Sequence, residues 1–276
     1  MSQPIPFERL GHLLTVPVTL AESIQTRFIL DTGIGVNLVS RALAEKVGTD
    51  ATSRVSKGRR MSGQEIALPI ERLSSLRLGG HVWRDVDVST LEMGSFHPML
   101  RDLGGFLSLG PFEALPFTVD YPNGCLRLHE VGDPTVPRSS SYAEVPLHLE
   151  RDGPSVTGEV EIDLPGGESA RVEVDSGSDT LILHERYMSR LGVTPGAPGV
   201  RALEGVDETG HPYTRHFATV PGEFRLTAAP SIRQEDPQVM FQRIIYDGLL
   251  GNDFLRRGLV TFDLRRSRIG FAPGTV

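Results

Sequence analysis

Two aspartates, Asp31 and Asp175, each open an Asp-Thr/Ser-Gly tripeptide with an apolar run before it and another after it. A single such tripeptide signals little more than a turn, because an Asp side chain bonds its own backbone and Gly supplies positive φ. Here there are two, at matching points of a repeat. Residues 29–40 (IleLeuAspThrGlyIleGlyValAsnLeuValSer) align with 173–184 (GluValAspSerGlySerAspThrLeuIleLeuHis) at a constant spacing of 144, which is 175 minus 31. An Asp set among such neighbours is partly desolvated, and a lone buried carboxylate is costly unless paired or neutralised. If the two loops meet on an approximate twofold axis, the carboxyls can share one proton. Like charges at that distance do not both ionise easily, so one serves as base and the other as acid. Such a pair activates a water against a carbonyl carbon while protonating its oxygen, with no metal and no covalent nucleophile.

The elements that would position these carboxyls also repeat. In each copy a β-like run enters the Asp and an apolar strand leaves it. A short helix follows, about 41–47 and 185–191, stopped by Gly48 or Gly192. Residues 117–128 match 260–271 at a spacing of 143 (263 minus 120), and both read as β-hairpins with polar turns at 121–124 and 264–267. Apolar-glycine segments, 104–112 and 247–255, precede these hairpins. ValPro at 16–17 and again at 145–146 predicts 15 extra residues in the second copy (144 minus 129), shaped as an elongated hairpin with a turn at 165–167. The Pro/Ser-rich stretch 130–142 reads as a linker. The expected fold is all-β, mainly strands with short helices, in two lobes, 1–135 with Asp31 and 136–276 with Asp175.

Composition narrows the function classes. The 276 residues carry 30 Gly and 20 Pro, as a turn-rich β protein would, and a net charge of −7 without any Lys/Arg run longer than two. That argues against nucleic acid as a partner. No apolar run suits a transmembrane helix and the N-terminal stretch lacks a signal-peptide pattern, so the expectation is a cytoplasmic protein without membrane contact. Cys125, the single cysteine, reads as a buried thiol. His211 and His216 lack a carboxylate or Cys at ligand spacing, so no metal and no cofactor are expected. Ser178 sits in no nucleophile elbow. Asp120 and Asp263, at hairpin turns, read as turn-stabilising.

These motifs together resemble the aspartic peptidases, both the pepsin-like single chain and the retropepsin-like half-unit that dimerises. The quoted residues are Asp31-Thr32-Gly33, Asp175-Ser176-Gly177, the LeuLeuGly of 249–251, and the closing ThrValAsp and ThrPheAsp. The resemblance implies two retropepsin-like β-barrel lobes in one chain, related by a pseudo-twofold axis across a central cleft. It implies a catalytic dyad of Asp31 and Asp175, with Thr32 and Ser176 bracing the loops and Gly33 and Gly177 admitting the dyad water. It also implies β-hairpin flaps over an extended peptide substrate, at Met61, Ser62, Gly63 and Gln64 in one lobe and Thr209, Gly210 and His211 in the other. A chain with both carboxyls would act as a monomeric aspartic endopeptidase. Two positions depart from the family pattern: Ile34 stands where Ser178 has a hydroxyl, and Ser108 stands where Gly251 does, with Gly110 as a shifted substitute. A non-catalytic peptide-binding module on the same fold is the alternative that Ile34 favours.

Overall fold

The computed structural model describes residues 3–96, 98–130, 142–207 and 210–273. Among them the chain forms three sheets. An eight-stranded sheet runs from Glu8–Leu10 to Gly105–Leu107 in the first half, and a ten-stranded one from His148–Asp152 to Gly248–Leu250 in the second. The third is shared. Its six strands lie in the order Ile5–Pro6, Cys125–Leu128, Phe117–Asp120, Gly258–Asp263, Arg268–Pro273, Ala143–Pro146. The sequence therefore folds as the mainly β protein that its Gly and Pro content and alternating hairpins predict.

The repeat explains the geometry of the shared sheet. Thr118 and Thr261 are equivalent positions, and they pair directly with each other. An approximate twofold axis passes between them, where their hydroxyl oxygens are 2.7 Å apart. Beside them Phe117 stacks on Phe262 with ring centroids 4.8 Å apart, and Phe112 packs on Phe117 in the same core. Rings of this size supply much of the burial that joins the halves. Both outer strands of this sheet carry a proline, Pro6 and Pro146, at the edge positions where a missing N–H costs no ladder bond.

Pairing also corrects two expectations. The second copy has no 15-residue insertion ahead of its Asp. Thr15 pairs with Ile29, and Glu159 with Glu173, so the hairpins Leu13–Leu20/Ile24–Leu30 and Ser155–Asp163/Ser169–Val174 keep the spacing of 144 throughout. The ValPro at 145–146 lies instead in the shared sheet, in the place that Ile5–Pro6 takes on the opposite edge. The second correction concerns the helices. Arg41–Val47 is helical and closes on Gly48 at φ 73°, but its counterpart is a single 3₁₀ turn, Glu185–Tyr187. Ala42 and Ala44 favour the first helix, whereas Tyr187 and Ser189 are weaker helix formers. The predicted linker falls almost wholly on residues 131–141, outside the described residues.

Two smaller apolar clusters flank the central core. Ile29, Leu38 and Phe106 belong to one; Ile182, Leu249 and Met240 belong to the other. Leu38 and Ile182 are repeat equivalents, as are Phe106 and Leu249. Ile29 has no such apolar equivalent, because its counterpart is Glu173.

Candidate active site

Each aspartate sits at the mouth of a strand held by its neighbour. The Asp31 N–H donates to the Leu107 carbonyl at 3.0 Å and the Asp175 N–H to the Leu250 carbonyl at 3.1 Å. Leu107 thus takes the place of Leu250, so Gly110 does not substitute by a two-residue shift. Ser108 fills the position of Gly251 with its own contacts: its N–H and hydroxyl both bond Asn37 Oδ1, at 3.0 and 3.2 Å.

The loops cross-brace. The Thr32 N–H donates to Ser176 Oγ at 3.1 Å, and the Ser176 N–H to Thr32 Oγ1 at 3.0 Å. Each hydroxyl then donates onward into the other half, Thr32 to the Val174 carbonyl at 2.6 Å and Ser176 to the Leu30 carbonyl at 2.8 Å. Both side chains are buried. Four bonds across the axis fix the two loops, and with them the carboxyls, to one geometry.

The glycines set how closely the halves approach. A Cβ on Gly33 would lie 2.8 Å from Asp175 Cγ, and one on Gly177 would lie 2.5 Å from Asp31 Oδ2. Any larger residue would push the carboxyls apart. Each carboxyl thus lies against the other loop's glycine, and the two act on each other. Gly33 N–H donates to Asp31 Oδ1 at 3.0 Å, and Gly177 N–H to Asp175 Oδ1 at 2.8 Å. Ser178 adds its hydroxyl to Asp175 Oδ2 at 2.5 Å. Ile34 offers no hydroxyl to Asp31 and packs its side chain on the Ile29 cluster. Burial, then the Asp175 charge, holds the Asp31 carboxyl well above its ordinary range, against the pull of the Gly33 and Ile34 N–H groups.

The flap candidates also come together. The hairpin Asp50–Arg59/Glu65–Leu78 turns at residues 60–64, and at the end of Arg201–Val206/Pro212–Thr219 the Asp207 N–H donates to the His211 carbonyl at 2.9 Å. Met61 reaches the second half, its carbonyl accepting the Ile245 N–H at 2.9 Å, and a Cβ on Gly63 would touch Ile245. Across the two turns Arg60 and Asp207 form an ion pair at 4.0 Å. Ser62 and Gln64 share the first turn; Gly210 and His211 share the second, the His211 N–H bonding Asp207 Oδ1 at 2.9 Å. Thr209 lies outside the described residues. His216, one of the two histidines without ligand spacing, lies on the flap strand Pro212–Thr219.

Sequence reasoning missed several residues here. Asn252 Nδ2 bonds the carbonyls of Ser176, Ser178 and His12 at 2.7, 3.1 and 3.1 Å, while its Oδ1 accepts the Tyr121 hydroxyl at 2.8 Å. His12 Nε2 lies 3.0 Å from the Gly177 carbonyl. The signal was Asn252 itself, a polar residue standing where the repeat has Leu109. Glu173 sits in a run that the sequence presents as apolar, yet it is 3 % exposed beside the two aspartates. Asp120 and Asp263 do brace their hairpin turns, accepting from Asn123 N–H at 3.1 Å and Arg266 N–H at 3.2 Å.

Two glycine-limited loops on an all-β frame bring Asp31 and Asp175 together, the arrangement that the sequence's resemblance to the aspartic peptidases implies. Residues 16–104, about a third of the chain and including Asp31-Thr32-Gly33, match the family model described as aspartyl protease. That match supports an aspartic peptidase. No curated protein matches the chain. Among the described residues, no helix is long and apolar enough to cross a membrane.

Proposed function

We propose that this chain is an aspartic endopeptidase whose two lobes, 1–135 and 136–276, each supply one carboxyl of a catalytic dyad. One observation carries the reading: Asp31 and Asp175 come from equivalent loops, each carboxyl lies against the other loop's glycine, and the loops are tied there by the Thr32–Ser176 bonds. In this reading Asp31, whose carboxyl burial and the Asp175 charge hold above its ordinary range, is the acid that protonates the scissile carbonyl oxygen. Asp175 is the base that takes a proton from the attacking water. The resulting tetrahedral diol collapses when the leaving nitrogen receives a proton from the dyad, and the amide C–N bond breaks. The turn at residues 60–64 approaches Asp207 of the second hairpin through the Arg60–Asp207 ion pair, and as flaps the two would suit an extended peptide, paired strand-like through its backbone. Both carboxyls lie in one chain, so a monomer suffices, and a single buried thiol suits a reducing cytoplasm.

The test is turnover of a denatured protein and of a random peptide library, read by mass spectrometry. Wild type cleaves internal peptide bonds. Asp31→Asn and Asp175→Asn each abolish cleavage with the fold retained, and the double variant is no worse than either single one, because one carboxyl cannot be acid and base at once. Substantial activity in either purified single variant removes the dyad. Stoichiometric peptide binding without cleavage by wild type would instead favour the binding module that the Ile34 departure suggests.

A further inference from the structure

We propose that Glu173 is a third carboxyl of this site, a positioning residue that holds the shared proton on the Asp31–Asp175 pair toward higher pH. The inference rests on the dyad reading above and extends it. Its starting point is an asymmetry in the repeat. Ile29 and Glu173 are equivalent, 144 residues apart on equivalent strands, each two residues before its Asp. Ile29 is 0 % exposed and packs in an apolar cluster. Glu173, in the matching place, is almost as buried, at 3 %. The fold therefore accepts an aliphatic side chain here, and a carboxylate brings a desolvation cost that packing does not require.

The geometry aims this carboxyl at the dyad. A Cβ on Gly33 would lie 2.8 Å from Glu173 Oε1 and also 2.8 Å from Asp175 Oδ1. The two oxygens are therefore no farther apart than twice that distance, across the same glycine that bounds the dyad. The charged groups that act most strongly on Glu173 are acidic. Asp31 and Asp175 face it from the two loops, Glu159 from the strand directly paired with it, and Glu150 from the next strand. Tyr246 approaches from the loop before Gly248–Leu250, and burial together with Glu173 pushes its phenol up. The nearest cation on the same strand, Arg171, lies 3.5 Å from Glu161 and 4.0 Å from Glu159. Burial first, then Asp175 and Asp31, hold Glu173 well above the ordinary carboxylate range.

Three carboxyls so placed lose their protons one after another, each loss opposing the next, and their titration belongs to the cluster. An ionised Glu173 makes removal of the last dyad proton harder. Activity that needs one proton on the dyad then persists to higher pH. Replacing Glu173 with a neutral residue removes this opposition.

The experiment pairs two readouts on wild type, Glu173→Gln and Glu173→Leu, the last matching Ile29 of the other half. In the pH profile of kcat/KM, both variants should bring the alkaline limb down by about one pH unit, with the plateau within a few-fold of wild type. Glu173→Asp, which keeps a carboxyl, should restore part of the range. A purely structural role would lower the plateau without moving the limb. The second readout is carbon-13 NMR titration of the Asp and Glu carboxyls, which needs no turnover: the upper step of the dyad should fall in Glu173→Gln. An alkaline limb and an upper dyad step that stay in place, or rise, in folded Gln and Leu variants overturn the proposal. If wild type shows no turnover at all, the peptidase reading fails, and the NMR titration still decides whether Glu173 is coupled to the pair.

Discussion

Thr32→Val is the sharpest test of how this site is held. The substitution keeps the side-chain volume and deletes the hydroxyl of a residue that is 1 % exposed. It removes two of the four bonds across the axis: the one given to the Val174 carbonyl at 2.6 Å and the one taken from the Ser176 N–H at 3.0 Å. Both abandoned partners are backbone groups in a buried site. Each costs about 1–3 kcal/mol when left unpaired, so the variant should lose about 2–4 kcal/mol after partial relaxation. That is a large share of the ~5–15 kcal/mol typical of a folded domain. Urea denaturation at constant pH measures it, with an unchanged slope showing that the unfolded state is not the cause. Activity should fall further than stability alone explains, since a shift of about 1 Å at the dyad can cost on the order of a hundredfold. A loss below about 1 kcal/mol with kcat/KM intact would refute the claim that this lattice fixes the loops. Ser176→Ala removes the other two bonds and should cost a similar amount.

Ser178→Ala deletes the hydroxyl bond to Asp175 Oδ2, which favours the charged form of the pair, so the acidic limb of kcat/KM should move up by about one pH unit. Ile34→Ser gives Asp31 a donor of the same kind and should lower the alkaline limb; if both limbs stay fixed in both variants, the division of labour between the aspartates is wrong. Glu173 and Asp31 also make a stability prediction. Their folded-state proton affinity is raised, so the stability they permit is fully present below the ordinary carboxylate range and is lost as pH rises through their folded values. Glu173→Leu should therefore be more stable than wild type at neutral pH, by about 1.4 kcal/mol for each unit that its pKa is raised, and no more stable at pH 3. Thermal unfolding across pH 3–8 checks this, and equal curves for the two proteins count against a buried, raised Glu173.

The all-β frame could be read from sequence because its signals are local. Strand alternation, Gly and Pro punctuation and the repeated Asp-Thr/Ser-Gly each depend on a few neighbouring residues. The hairpins read at 117–128 and 260–271 were visible for that reason, as was the helix ending at Gly48. Strand pairing is not local, and the error at ValPro 145–146 shows it. Two short matching words outweighed the longer hairpin that follows, and only the register of Thr15 with Ile29 and of Glu159 with Glu173 corrects the alignment. Asn252 was missed for a related reason. Its three carbonyl partners come from segments 76 and 240 residues away, so no window of sequence contains the set.

The same repeat that reveals the fold also exposes what departs from it. Where both halves keep a residue type, as with Gly33 and Gly177 or Thr32 and Ser176, symmetry of the site suffices to explain it. Where they differ, the fold has already shown that the other residue is acceptable, so the difference needs a cause outside packing. Ile34 against Ser178 separates the surroundings of the two aspartates, leaving one with a hydroxyl donor and one without. Glu173 against Ile29 sets a third acid next to them on one side only. Leu109 against Asn252 ties only the second loop to His12 and Tyr121. All three differences make the surroundings of Asp175 polar and leave those of Asp31 apolar. A symmetric pair of carboxyls has no built-in choice of which keeps the proton. In the proposed division of labour the Ser178 hydroxyl, given to Asp175 alone, is the neighbour that leaves the proton on Asp31.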